Sequence, residues 1–412
     1  MKKLIITAAV MDGDDEIEIP TYFRCPISME LMKDPVTVAT GITYDRHAIE
    51  KWLFSGRRTA TCPVTNQVLS TTDLTPNHTL RRLIQAWCAT NAVDRIPTPE
   101  PPVDAAHVRR ILSQGMTSPR SELQCLRRLR SIAARNESSR KHLQIGGAAE
   151  FLAGVFARHR DGAAVVIDEA LGILYRMDLP DSDLKKLIAA GGLFRSLTHV
   201  LEIGSSESRR QAIVLLNSAL HVADPEHVIG CEPEMYKQVA RIISDRVSVT
   251  VTKTALKVLL QLCPWGRNRI TAVQNGAVWA VVEAILETGE RRICELGLAV
   301  LDLLCGCAAG RAEILRHGAG LVVVSKKILR VSAEANYRAV RTLCWISRHA
   351  ASPAVVSEMA AVGVAAKLCL VVHRAETGRR TREAAAEILK RHSSVWKESS
   401  CIPPHLLLSY PR

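Results

Sequence analysis

Along most of the chain the apolar positions come in helix-length bursts separated by short polar breaks at a regular interval. A glycine followed by a small or apolar residue opens such a burst at IGGAAEFL (145–152), AGGLFRSL (190–197), NGAVWAVV (275–282), HGAGLVVV (317–324) and VGVAAKLC (362–369). From Gly147 through Gly192, Gly276 and Gly318 to Gly363 the steps are 45, 84, 42 and 45 residues, the step of 84 being two periods with Gly230 as a degraded intermediate. A second landmark lies 20 to 25 residues further on, where an alanine leads a Leu-rich helix. It recurs at Ala170, Ala212, Ala255, Ala299 and Ala339, spaced 42, 43, 44 and 40 residues apart. Two landmarks in one phase predict a stacked helical array, because no single unit of this size buries its apolar face alone.

A period near 42 falls in the armadillo and HEAT range. The glycine favours armadillo: a short helix (ITAVQN, EILRH) must turn sharply into a second one, and a residue without Cβ accepts that backbone. Six fuller repeats and a partial first one around 108–135 are expected, the alternative being an irregular bundle.

Residues 19–92 read differently. Turn signals at Asp34-Pro35, Thr40-Gly41, Ser55-Gly56, Cys62-Pro63 and Pro76-Asn77 surround short apolar stretches. They predict a compact α+β domain of loops, a small hairpin and a helix or two. The run Pro97-Thr98-Pro99-Glu100-Pro101-Pro102 then favours an extended, stiff spacer. The expected division is a disordered leader (1–18), the compact domain (19–92), a Pro-rich linker (93–104), an α-solenoid (105–395) and a tail (396–412), mainly α as a whole.

Composition narrows the function. Hydrophobic residues make up 47% and aromatics 4%, which suits aliphatic helix packing and argues against an aromatic-rich β-sandwich. The formal charge of +13 is dispersed in pairs such as Arg109-Arg110, Arg209-Arg210 and Arg379-Arg380, with no basic run interleaved with aromatics. Solvated helix faces explain it better than nucleic-acid binding. Twelve cysteines, including Cys263, Cys305, Cys344 and Cys369 inside apolar helices, read as buried hydrophobes in a reducing compartment. The acidic run Asp12–Glu16 stands where a signal peptide would need small cleavage-site residues, and no stretch of about 18 apolar residues exists to span a membrane. Cytoplasmic residence is expected, with nuclear or peripheral membrane association left open.

The chemistry is carried by residues 25–65. They fit the spacing of a RING finger, which needs eight N/S ligands for two zinc ions. Here the first pair reads Cys25-Pro26-Ile27-Ser28, the middle Thr40-Gly41-Ile42-Thr43-Tyr44-Asp45-Arg46-His47-Ala48, and the close Cys62-Pro63-Val64-Thr65. Only Cys25 and Cys62 can ligate; Ser28, Thr40, Ile42, Asp45, Ala48 and Thr65 fill the other six positions, and His47 falls between them. Neither ion has a full set, so no metal or other cofactor is expected.

Ligand positions vacated while Pro26, Gly41, Tyr44, Trp52 and Pro63 persist make residues 19–90 resemble a U-box almost continuously. With the array and the tail VWKESSCIPPHLLLSYPR behind it, the chain is similar to the plant U-box/armadillo E3 ubiquitin ligases. The resemblance implies a groove for a ubiquitin-conjugating enzyme (E2) formed by Ile27, Trp52 and Pro63, with Cys25 and Pro26 beside it. It also implies a ubiquitin-positioning residue at Asn66, where stronger members carry a cation; Gln67 or Arg57 and Arg58 are substitutes for that role. Asp34, Pro35, Val36, Gly41, Tyr44, Cys62, Leu74, Leu80 and Ile84 read as scaffold, and Ser28, Asp45 and Arg46 as members of the polar network that replaces zinc.

Such a ligase performs no covalent chemistry of its own: it holds the charged E2 and ubiquitin while the array brings a substrate lysine near. Its partners are therefore E2, ubiquitin and a protein substrate, and self-association through the U-box stays open. Two rivals remain. A cysteine nucleophile with His47 as base lacks an acidic orienter and an oxyanion feature. An armadillo adaptor with an inactive U-box requires degraded groove residues, and here they are intact. The third helices, from Asn217 through Gln261 to Trp345, either line a substrate surface or pack between repeats.

Overall fold

The computed structural model of the chain describes residues 19–53, 60–91, 103–115, 118–159 and 164–396. The leader, the Ser55-Gly56 turn with Arg57 and Arg58, most of the Pro-rich linker and the tail beyond Trp396 lie outside the described residues. Two compact units result, Met1–Ala148 and Ala149–Arg412.

In the first unit a three-stranded antiparallel sheet has the order β2-β1-β3, with β1 Pro35–Thr37, β2 Thr43–Asp45 and β3 Thr75–Pro76. Val36 faces Tyr44 across the first pair and Pro76 across the second. Gly41, at φ 81, closes the β1–β2 turn and donates its N–H to Val38 O at 2.9 Å. Helix α1 (Arg46–Leu53) leaves β2 directly. Helix α2 (His78–Thr90) starts at Asn77, whose side chain accepts the Leu80 N–H at 3.0 Å and so satisfies one orphan donor of the first turn. Phe23, Met32, Val36, Tyr44, Ile49, Leu69 and Ile84 form the core, with Cys25 and Cys62 fully buried among them. Each such apolar side chain contributes about 1.5–3 kcal/mol on burial, so a sheet this small holds only because both helices cover it. Helices Ala105–Gly115, Pro119–Arg135 and Glu137–Ile145 complete the unit.

The second unit is helical throughout its described residues and runs in triplets, for example Gly266–Gln274, Ala277–Glu287 and Arg291–Leu304. The third helices Ser206–Val222, Val249–Leu262, Arg291–Leu304, Ala333–His349 and Arg379–Arg391 pack successively on one another. Four of them begin alike: Ser205, Ser248, Glu290 and Ser332 each accept the N–H three residues on. Helix Arg291–Leu304 shows why they stack, since Ile293, Leu296, Leu298, Val300, Leu301 and Leu304 are all buried.

The repeat glycines do what their spacing predicts at Gly147, Gly192, Gly276 and Gly363, which take φ of 91, 84, 82 and 74. Gly192 meets a second constraint, because a Cβ there would lie 2.3 Å from Phe156 O. Gly230 departs from the pattern with φ −80: its next helix starts later, at Pro233, and the intervening Glu232 is extended. Cys263, Cys305, Cys344 and Cys369 are buried as expected. Among the described residues no single helix is long and apolar enough to cross a membrane.

Candidate functional site

The Cys-Pro segments build the same turn twice. In the first, Cys25 N donates to Glu30 O and Met29 N donates to Cys25 O, both at 2.8 Å. In the second, Cys62 N donates to Gln67 O at 2.9 Å and Asn66 N to Cys62 O at 2.8 Å. A single antiparallel bridge closes each turn, Arg24 to Leu31 and Thr61 to Val68. The fifth residue of each is left-handed, Met29 at φ 60 and Asn66 at φ 58. Asn tolerates that conformation better than most residues, whereas Met accepts it at a cost. Ser28 and Thr65 each accept an N–H two residues on, at 3.4 Å. Ser28 thus serves its own turn, and its hydroxyl is not bonded to Asp45 or Arg46.

The two cysteines stand where ligands would be and now accept hydrogen bonds. Cys25 Sγ accepts the Asp45 backbone N–H at 3.2 Å. Cys62 Sγ accepts the Thr40 hydroxyl at 3.2 Å and pairs with the Tyr44 hydroxyl at 3.0 Å. Because Val64 N donates to Tyr44 Oη at 3.3 Å, the tyrosine proton is free to point at the sulfur. Burial raises the Cys62 pKa, but hydrogen bonds from Thr40, Thr65 and Tyr44 outweigh it and bring the thiol down to about 6. Tyr44 is pushed up by its burial and by Cys62. The resemblance placed Cys25 beside the docking surface. It has no exposed area and corrects to the interior, since its sulfur is used inward.

A carboxylate network ties the first turn to α1. Asp45 Oδ2 accepts Lys33 N at 2.8 Å and Asp34 N at 3.1 Å, while Oδ1 accepts His47 N at 3.1 Å. Arg46 Nε donates to Asp34 Oδ2 at 2.6 Å. Beneath it lies Glu50, which the sequence did not single out: it is 5% exposed, and its Oε2 has no hydrogen-bond partner. Burial raises its pKa, Arg46 opposes this, Asp34 and Asp45 add to it, and the carboxyl reaches about 7.

Trp52 is half-buried and donates its indole N–H to Thr61 O at 3.0 Å, which fixes it against the loop that carries Pro63. Ile27 is half-buried on the other turn, and both Ile27 and Trp52 rest on the same core. Pro63 is half-exposed; Pro26 and Asn66 are exposed. Val64, Val68 and Met29 are exposed at 51%, 70% and 60% and were missed. The parallel of Cys-Pro-Ile-Ser with Cys-Pro-Val-Thr was the signal that could have found them. Pro35 and Ile84 are buried, and Leu74 and Leu80 pack against the core. Among the described residues no three of His, Cys, Asp and Glu are grouped so as to hold a metal ion.

In the array, Gln261 Nε2 donates to Asn217 Oδ1 at 2.9 Å, so this pair joins adjacent repeats. Trp345 is half-exposed and stacks on His349 with ring centroids 5.8 Å apart.

Residues 19–93 match the U-box domain family, and residues 107–412 match the plant U-box protein ARM repeat region. The E3 ubiquitin-protein ligase PUB23 of Arabidopsis thaliana is 46% identical over 97% of this chain and 98% of its own. PUB22 of the same plant, also an E3 ubiquitin-protein ligase, is 43% identical over 97% of this chain and 100% of its own. Among solved structures, a designed armadillo repeat protein covers 58% of this chain and 99% of its own at 17% identity and a TM-score of 0.43.

Proposed function

Because this chain belongs to the plant U-box proteins with an ARM repeat region, we propose that it works as an E3 ubiquitin-protein ligase whose two Cys-Pro turns seat a ubiquitin-charged E2. The observation that carries this is the half-exposure of Ile27 and Pro63 on turns whose backbones are fixed from within, and of Trp52 on α1, held to the second turn's loop by its indole N–H. One aliphatic and one aromatic residue packed on the core, with one rigid proline, make a small apolar contact suited to a partner that must leave after each transfer. Ile27 and Pro63 cost little entropy to immobilise because the turns already hold them.

Asn66 stands at the edge of the second turn with its carboxamide exposed. It offers hydrogen bonds to ubiquitin but no charge. An arginine there would bring charge at a backbone cost of about 1–2 kcal/mol. The chain contributes orientation only: the thioester arrives activated on the E2, and the array holds the substrate whose lysine attacks it. Cytoplasmic residence belongs to the same proposal and is supported by eleven free cysteines among the described residues.

Ubiquitin-chain formation by the full chain with a panel of E2 enzymes, with and without a zinc chelator, is the test. Chains form, the chelator changes nothing, and Ile27→Ala slows transfer about tenfold, the loss of one hot-spot contact of about 1.4 kcal/mol. Circular dichroism confirms that the variant is folded. Absence of chains with every E2, or an unaltered rate in folded Ile27→Ala, overturns the proposal; chelator inhibition overturns its metal-free form.

A further inference from the structure

Several cations on the array surface pair with carboxylates of a neighbouring repeat. Arg209 meets Asp245, Arg246 meets Glu287, Lys253 meets Glu290 and Arg348 meets Glu387. One edge of the last repeats gathers several cations that lack such a partner. Lys326, Lys327, Arg330, Lys367 and Arg374 have no ion pair among the described residues. Lys327 Nζ donates to the Thr288 carbonyl at 3.2 Å and Lys367 Nζ to the Ser325 carbonyl at 2.6 Å. Burial lowers the Lys367 pKa, and the neighbouring Arg330 and Lys326 lower it further, so the cations repel one another unrelieved.

Two adjoining recesses share Arg330 and Val331. One, of about 270 Å³, is bordered by Arg291, Lys326 and Lys327 with apolar walls from Leu286 and Val323. The other, of about 350 Å³, is bordered by Arg374 and by the polar side chains of Ser332, Asn336 and Thr381. Among the described residues Glu376 is the only carboxylate lining either recess. Favourable placement at the C-terminus of helix Gly320–Lys327 explains Lys326 and Lys327. The same placement accounts for Arg374, the C-cap of helix Val364–His373, and the Ser325 carbonyl holds Lys367, which leaves the Arg330 side chain without a structural partner among the described residues.

We propose that this edge is a docking site for an acidic, extended polypeptide segment of the substrate, whose successive carboxylates enter the two recesses on either side of Arg330. It rests on the array being the substrate-holding part of the ligase. The cations border two adjoining recesses that share Arg330, an arrangement that suits successive carboxylates better than a single phosphate. They border recesses and not a flat plane, which disfavours a bilayer surface. Among the described residues no aromatic ring lines either recess, as stacking on nucleic-acid bases would need.

The test is fluorescence anisotropy of the full chain with a labelled Glu-rich peptide, its Gln-for-Glu counterpart, phosphatidylserine vesicles and a single-stranded oligonucleotide. The Glu peptide binds and is displaced by salt. The exposed triple variant Lys326→Glu, Arg330→Glu, Arg374→Glu weakens it about ten- to a hundredfold, whereas Lys326→Arg, Arg330→Lys, Arg374→Lys retains it. Equal binding of the Gln peptide, unchanged affinity in the charge-reversed variant, or tighter binding of vesicles or oligonucleotide overturns the proposal. Ubiquitin-chain formation, read on the same wild-type preparation, separates the two claims. Chains without peptide binding overturn the docking site alone, and peptide binding without chains overturns the ligase proposal and leaves the site standing.

Discussion

Replacing Glu50 by glutamine removes a carboxyl that is 5% exposed and whose Oε2 has no hydrogen-bond partner. Its folded pKa of about 7 stands against an ordinary value of 4.5. The folded state therefore holds the proton more tightly than the unfolded state. Stability from this group is fully present below about 4.5 and is lost as pH rises through about 7. At about 1.4 kcal/mol for each pH unit that separates the two values, the loss at neutral pH and above is about 3 kcal/mol. Glutamine keeps the shape and an oxygen toward Arg46, whose Nη1 lies 3.9 Å from Glu50 Oε1, but forfeits the charge attraction. The expected net gain is about 1–3 kcal/mol at pH 7.5, shrinking to near zero at pH 4.5. Native-state hydrogen exchange of peptides from α1 (Arg46–Leu53) and β2 (Thr43–Asp45), corrected for intrinsic exchange at each pH, reads this as the difference between variant and wild type. A difference that is flat with pH, or a variant less protected at pH 7.5, would refute the assignment of Glu50 as a buried acid.

Cys62→Ser tests the opposite limb. The folded thiol at about 6, below the usual 9.0, contributes stability that is fully present above about 9 and is lost as pH falls through about 6. The substitution should cost about 2 kcal/mol more at pH 8 than at pH 6 by the same exchange measurement, and an equal cost at both pH values counts against a thiolate acceptor. Gly192→Ala and Gly363→Ala both strain a left-handed position, at φ 84 and φ 74, for about 1–2 kcal/mol. Only Gly192→Ala also drives a Cβ to 2.3 Å from Phe156 O, so thermal unfolding of the array should separate the pair by at least about 1 kcal/mol, and equal effects exclude the close approach as a cause.

The sequence revealed what repeats. Gly147, Gly192, Gly276 and Gly363 announced their left-handed turns because a sharp helix-to-helix turn asks for a residue without Cβ, but Gly318 in the same register does not take that conformation, and its helix starts only at Gly320. The U-box was legible because Pro26, Gly41, Tyr44, Trp52 and Pro63 kept their spacing. Pairing was not legible. Nothing in the run of dispersed arginines told that Arg246 would find Glu287 while Arg330 would find no carboxylate among the described residues, because partners come from repeats some 40 residues away. Burial of single polar residues was hidden for a related reason. Glu50 follows Ile49 on a short amphipathic helix, and only the rotation of that helix on the sheet decides that Glu50 turns inward while Lys51 stays outside. The resemblance grouped Cys25 with Pro26 and Ile27, but the tight turn directs its side chain into the core.

The hydrogen bonds to the two cysteines are interleaved along the chain. Cys25 holds Asp45 across 20 residues and Thr40 holds Cys62 across 22, and the two loops overlap. Closing overlapping loops is an entropic burden that a structural zinc site would meet with about 10–16 kcal/mol of binding. Hydrogen bonds to sulfur and carboxylate supply only about 1–3 kcal/mol each, so the domain must draw the rest from its core and from the Asp34–Arg46–Asp45 network. A domain held by such bonds is sensitive to protons, because Cys62 within the network and Glu50 beneath it both titrate. Glu50 loses stability as pH rises through about 7, and Cys62 gains it as pH rises above about 6. Their opposed slopes overlap between those values, leaving a shallow stability minimum near pH 6–7 that neither group produces alone. The Glu50→Gln and Cys62→Ser profiles should each abolish one side of it.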